Sequence, residues 1–170
     1  IILASIIAIF SSYKIKINMK FFKIINPHVA HIGVGIAIVG ITCSSVFQNE
    51  LDFNLNEGDK FIVNGKTVLF EKLETTNEIN FQSLRGKFLF DIEKNQSNEI
   101  EAGKNYYPVS KMITSEAGIL HQWNKDVYFI LGDQKNNEWF VKVLINPFVS
   151  FIWLGVIIMM YSGLIAVSRR

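Results

Sequence analysis

Two histidines three residues apart, His28 and His31, stand at the start of an apolar run, residues 27–47, that carries no formal charge. Residues three apart on a helix share roughly one face. A neutral imidazole is a ligand for zinc, iron or haem iron. An ionisable side chain inside an apolar span is costly to keep and marks a functional position. Asn26-Pro27 is expected to start the helix, as an N-cap followed by proline at the first helical position. A helix N-terminus disfavours the imidazolium and so keeps a histidine neutral and able to ligate. His31 lies deeper, about 6 Å along the helix from Pro27. Gly33 and Gly35 are expected to leave space beside it for something flat and bulky. The chemistry this supports is axial ligation of a haem within a membrane, with His31 the ligand and His28 a headgroup-level residue. From spacing alone, His31 as a hydrogen-bonded packing residue stays open. One histidine fills one axial position, so a second ligand is expected outside this sequence.

The other candidates carry less. His121, in GILHQWNKD, has no neighbouring Cys, His or paired carboxylate in the sequence and is expected to be a solvated loop residue. Glu116 and Asp126 could be drawn as an acid–base pair, but nothing in their spacing separates them from ordinary strand-end carboxylates. Cys43 is the one cysteine, which excludes an internal disulfide and a CxxC site. No GxSxG, phosphate-loop or zinc signature occurs. No catalytic residue is assigned.

Three apolar stretches must position the histidine pair: residues 1–10, 28–47 and 148–167. The second and third have the length that crosses a bilayer. The first is expected to be the end of a truncated span. With no basic n-region ahead of it, it is expected to be a span end rather than a signal peptide, and the chain is expected to be part of a longer multi-pass protein. Ala30, Gly33, Ala37, Gly40 and Ser44 form a stripe of small residues suited to close helix or cofactor packing. Trp153 and Tyr161 fit an interface-preferring role only loosely.

Charge sets the orientation. Lys14, Lys16, Lys20 and Lys23 follow the first stretch, and Arg169 and Arg170 end the chain. Residues 48–146 hold all fifteen acids and net −4, against +6 for the two flanks together. Excess Lys and Arg marks the cytoplasmic side. The expected layout is therefore a helix end at 1–10, a basic cytoplasmic loop at 11–26 and a spanning helix at 27–47. An exported domain follows at 48–146, then a second complete span at 147–168 and a cytoplasmic end at 169–170. The overall charge of +2 averages two compartments and makes no case for nucleic acid.

The middle segment has strand character. Short alternating apolar runs are separated by Gly, Asn and Asp. Asn64-Gly65 between Phe61-Ile62-Val63 and Lys66-Thr67-Val68 is a two-residue hairpin signal. GKFLFDIE is expected as another strand, and DVYFIL and WFVKVLI as a second hairpin around the polar stretch GDQKNNE. Residues 99–110 are ambiguous, with Pro108 marking an edge or loop. The expected fold is a membrane α-helical chain with an inserted small antiparallel β-domain, a sandwich or partly open barrel of about six to eight strands, on the exported side.

Four stretches, in order, resemble the C-terminal portion of the CcmF family of membrane haem lyase subunits, including its paralogue NrfE. Val29-Ala30-His31-Ile32-Gly33-Val34 resembles the family's LAHLGV, and Asn56-Glu57-Gly58-Asp59 its xxGD. Residues 112–133 (MITSEAGILHQWNKDVYFILGD) resemble MTEAAI…DLYxxLGE. Residues 139–155 (WFVKVLINPFVSFIWLG) resemble WxVRxYxKPFVxWIWxG.

The resemblance implies several things. His31 is an axial ligand of a transmembrane b-type haem whose second ligand lies on a missing N-terminal part. The chain serves haem attachment to apocytochrome c during cytochrome c maturation, with reducing equivalents from quinol. Its partners are the rest of a CcmF-like protein, CcmH- and CcmI-type subunits, the haem chaperone CcmE, apocytochrome c and membrane lipid. Its place is the bacterial inner membrane, or a mitochondrial one, with residues 48–146 periplasmic. The family's Trp-rich haem-handling motif, its two external histidines and its second membrane histidine are not on this chain, which is not expected to be active alone. The alternatives are a ResB-like assembly protein, or a non-catalytic membrane anchor or transporter subunit whose β-domain binds a partner.

Overall fold

Asn64 and Gly65 close a two-residue turn with φ of 52° and 74° in a computed structural model of the chain. Both central residues of such a turn need positive φ, which Asn tolerates and Gly adopts freely. The structure describes residues 2–12, 19–92 and 97–167, with side chains for 2–7, 26–92 and 97–167. Lys14, Lys16, Arg169, Arg170 and the Glu93 end of GKFLFDIE lie outside the described residues, as do the side chains of Lys20 and Lys23.

Two compact units emerge. The first joins three helices, α1 (Ile2–Ser12), α2 (Met19–Val46) and α3 (Val149–Val167), and also includes residues Trp123–Lys125. Within α2 the 21 residues Asn26–Val46, and the 19 residues of α3, are long and apolar enough to cross a membrane. The expected start of the helix at Pro27 is corrected: α2 begins at Met19, and Pro27 lies inside it. Its ring removes one backbone donor but does not end the helix.

The second unit is a β-sandwich, one of the two architectures expected. Among the described residues it has nine strands: β1 (Asn49–Leu55), β2 (Lys60–Val63), β3 (Lys66–Asn77), β4 (Gln82–Phe90), β5 (Asn98–Tyr107), β6 (Met112–Glu116), β7 (Gly118–His121), β8 (Lys125–Lys135) and β9 (Glu138–Pro147). One sheet runs β1-β9-β8-β7 and the other β2-β3-β4-β5-β6. β1 pairs antiparallel with β9, from Asn49 opposite Ile145 to Leu55 opposite Trp139, which joins the start of the domain to its end. The ambiguous stretch 99–110 proves to be mostly β5, ending before Pro108.

Alternation builds the core. Val127, Phe129 and Leu131 of β8 and Val141, Val143 and Ile145 of β9 point inward from one sheet. Val68 and Phe70 of β3, Phe88 and Phe90 of β4 and Ile100 of β5 meet them from the other. Every second residue of a strand faces the same side, so each strand delivers a row of apolar side chains.

The outer surface is laced with ion pairs. Lys87 reaches Glu99 at 3.1 Å, Glu101 at 3.4 Å and Glu74 at 3.7 Å. Hydrogen bonds to Glu99 and Glu101 push its amine up to about 12. A hydrogen bond from Lys72 holds the Glu74 carboxyl below its usual value, and one from Lys104 does the same for Asp133. The raised amine contributes stability below its unfolded pKa and loses it as pH rises through about 12. The depressed carboxylates contribute above their unfolded pKa and lose it as pH falls. The thermal midpoint of the chain is therefore expected to stay level from about pH 5 to 9 and to fall below about pH 4. The fall should be shallow, because exposed pairs are screened by solvent. A midpoint that rises on acidification would contradict it.

Candidate functional site

His31 sits on an exposed face of α2. Its Nδ1 lies 2.6 Å from the carbonyl oxygen of Pro27, one turn earlier. A carbonyl can only accept, so Nδ1 must carry the hydrogen. In the neutral ring the lone pair then belongs to Nε2. Metal-ligating histidines are commonly held this way, with the second ring nitrogen bonded to a carbonyl or carboxylate. His31 and His28 share a cleft of about 280 Å³ with Ala4 and Ser5 of α1. The structure thus brings both histidines to one space, and only His31 has its ring oriented by the Pro27 carbonyl.

Two sequence arguments for this site are corrected. His31 lies well inside α2, so the positive charge at a helix start, which fades within the first turn, does not act on it. Gly33 and Gly35 do not leave open space beside it. A Cβ on Gly33 would lie 2.8 Å from the Gly155 carbonyl of α3, and one on Gly35 would collide with the Ile2 side chain of α1. Both glycines admit neighbouring helices.

The frame around the site is a close antiparallel crossing. Gly33 and Ala37 of α2 meet Gly155 of α3, and Gly40 meets Ile152. The small-residue stripe therefore serves helix packing. Below it, Asn26 Nδ2 donates to the Ser162 carbonyl at 2.9 Å, and Ser162 Oγ donates back to the Asn26 carbonyl at 2.8 Å. Sequence reasoning passed over this pair. Its signal was a buried serine in an otherwise apolar span.

The remaining candidates resolve into structural roles. His121 is the last residue of β7, and its Nδ1 lies 3.1 Å from Asp126 Oδ1. The histidine is solvated as expected, its side chain 73% exposed, but it ends a strand rather than lying in a loop, and it has a carboxylate partner whose side chain is only 8% exposed. Burial, and then the charge of Asp126, raise the Tyr128 hydroxyl above its ordinary range. Glu116 belongs to the other sheet, where it binds Arg85 at 2.6 Å and Asn105 at 2.5 Å. Glu116 and Asp126 therefore each have partners of their own and do not form an acid–base pair. Among the described residues no group of three or more His, Cys, Asp or Glu is placed to hold a metal ion. With Nδ1 held by the Pro27 carbonyl, His31 offers Nε2 as a single neutral nitrogen donor.

Taken together, these features define a helix-flanked β-sandwich module with one oriented histidine on a span-length helix. Residues 46–147 match the family model described as the CcmF C-terminal beta-sandwich. The chain belongs to the CcmF family. It is 31% identical over 144 residues to the cytochrome c-type biogenesis protein CcmF of Haemophilus influenzae, covering 83% of this chain and 22% of that protein. It is 29% identical over 142 residues to CcmF of Pseudomonas aeruginosa, again covering 83% and 22%. A solved structure described as cytochrome c heme lyase CcmF superposes with a TM-score of 0.76 at 14% identity, over 96% of this chain and 28% of that one. That likeness shows the shared fold. The chain spans about a fifth of the length of the curated relatives it matches. The family match displaces the ResB-like alternative.

Proposed function

We propose that this chain is the C-terminal, haem-ligating part of a membrane haem lyase of cytochrome c maturation, with His31 as one axial ligand of a b-type haem. The observation that carries the reading is the Nδ1–H bond of His31 to the Pro27 carbonyl, which leaves Nε2 as the acceptor nitrogen of a ring that lines the cleft with Ala4, Ser5 and His28. When bound, the haem supplies one-electron chemistry. The chain's own work is to orient one imidazole and hold it at a fixed depth. Pro27 sets the ring direction, and the α2–α3 crossing with its Asn26–Ser162 pair sets the helix position.

The second ligand, the haem-handling tryptophans and the attachment chemistry belong to other parts of the assembly. So do contacts with a haem chaperone, CcmH- and CcmI-type subunits and apocytochrome c. α2 and α3 are the spans in this reading, with the basic flanks inside and the net-negative sandwich outside, consistent with the distribution of Lys and Arg. The sandwich has a docking or supporting role.

The test uses membranes containing the whole assembly. His31→Ala is expected to remove the low-spin b-type absorption band and to reduce cytochrome c assembly to background. His28→Ala is expected to leave both. Full b haem and full assembly in His31→Ala would refute the ligand assignment.

A further inference from the structure

Trp123 is 84% exposed, although tryptophan is a large apolar residue that folding ordinarily covers. It occupies the turn between β7 and β8, and the backbone of that turn is held on the start of α3. The Phe148 N–H donates to the Asn124 carbonyl at 2.8 Å. Ser150 Oγ donates to the Trp123 carbonyl. Phe148 adopts a left-handed φ of 63° there, and its ring stacks on Phe151 with centroids 5.6 Å apart and planes 10° apart. These residues and Leu154 line an apolar cleft of about 310 Å³ with the indole at its rim. Apart from the indole N–H its polar lining residues are Asn124 and Ser150, and the Asn124 carbonyl and the Ser150 hydroxyl are already hydrogen-bonded.

A second cleft, of about 190 Å³, shares the Phe151 and Leu154 walls and continues to Ile2, Ile36 and Val39. The two therefore adjoin, and an apolar surface runs from Trp123 along α3 into the space beside α1 and α2. A polar solute would find almost nothing there to hydrogen-bond. A hydrocarbon chain needs no such partner, and its transfer out of water is favourable in proportion to the area covered.

We propose that this groove takes a phospholipid acyl chain of the bilayer, and that Trp123 is the tryptophan by which the chain sits at the membrane–water boundary. The inference rests on the reading of α3 as a span. It identifies the occupant by continuity: Leu154 of the groove is the i, i+3 neighbour of Ile157 on α3, and both are among the exposed apolar residues of that helix, with Trp153 and Leu164. Tryptophan favours this boundary because its ring is apolar while its N–H wants a polar partner. In the sequence Trp153 and Tyr161 fit such a role only loosely, and both lie within α3 itself.

The experiment is fluorescence quenching of the full chain in phosphatidylcholine vesicles. A variant carrying Trp139→Phe and Trp153→Phe leaves Trp123 as the reporter. Its emission is expected to fall strongly with lipid brominated near the headgroup, less with lipid brominated near the chain end, and little with aqueous iodide. Quenching by iodide without quenching by brominated lipid would place Trp123 in water and overturn the proposal. Quenching by neither would mean that protein covers the groove, and would overturn it equally. A companion variant, Trp123→Phe with Trp139→Phe, reports from Trp153. If Trp153 also escapes brominated lipid, the span reading itself has failed; if Trp153 is quenched and Trp123 is not, only the groove assignment has.

Discussion

Phe88→Ala is expected to remove a large fraction of the stability of the β-sandwich, about 3–5 kcal/mol. Phe88 is fully buried. Its ring stacks on Phe70 at 4.9 Å, meets Phe61 edge-on at 6.5 Å and lies 5.3 Å from Phe129. Phe70 and Phe61 belong to the same sheet as Phe88, whereas Phe129 belongs to the other. Removing the ring therefore takes away one of the aromatic contacts that join the two sheets, beside Phe90–Phe129 and Phe53–Phe61. Large-to-small changes of this kind cost about 3–5 kcal/mol, from the lost transfer energy and the cavity left behind. A domain this size is stable by only about 5–15 kcal/mol in total. Chemical denaturation followed by near-ultraviolet circular dichroism measures the loss. Ile62→Ala, at an exposed position of β2, is the control and should shift stability by about 0.5 kcal/mol or less. Equal midpoints for the two variants would show that the centre of the core is elsewhere.

The second large effect belongs to the helices. Gly155→Leu is expected to part α2 from α3. A Cβ at this position would lie 2.5 Å from the Gly33 carbonyl oxygen, 2.7 Å from the Ala37 nitrogen and 2.8 Å from the Ala37 Cβ. Two of those neighbours are backbone atoms, which cannot rotate out of the way as a side-chain tip can. The helices must separate, and separation also strains the Asn26–Ser162 pair farther along the same crossing. The cost should reach the upper end of the usual overpacking range, about 3 kcal/mol. Gly163→Ala, eight residues later on α3, is the internal control, because a Cβ there meets nothing within 4 Å. Thermal unfolding of the full chain in detergent micelles compares them. The outcome that sinks the argument is a Gly155→Leu midpoint equal to that of Gly163→Ala. If His31 ligates haem, Gly155→Leu should also weaken haem retention, since the ring's position depends on where α2 is held.

Much of the sandwich was legible in advance, because the rules that make it are local. The Asn64-Gly65 turn forms where positive φ is cheap, and the alternation around it is a strand pattern at any distance from its partners. The second hairpin shows where local rules weaken. β8 and β9 run through the polar stretch to a two-residue turn at Asn136 and Asn137, with φ of 52° and 71°. Two asparagines there did not look like a tight turn, since polar residues are equally at home in a longer loop. The strand through 98–107 was obscured for a related reason. It carries Glu99 and Glu101 on its outer side, and that face becomes ordered only through cross-strand partners such as Lys87.

By itself, the sequence determined two span-length apolar helices, an antiparallel β-domain between them in chain order, and His31 as the residue to watch. Each follows from hydropathy, period or residue chemistry within a short window. Only the tertiary structure decided what the small residues and the rings do. Gly33, Gly35 and Gly155 look alike in sequence, as places without a side chain, and a missing Cβ has no meaning until the atom that fills its place is known. The same holds for His31. Imidazole can donate or accept at either nitrogen, and the Pro27 carbonyl one turn below, by accepting from Nδ1, selects Nε2 as the nitrogen that is left to bind.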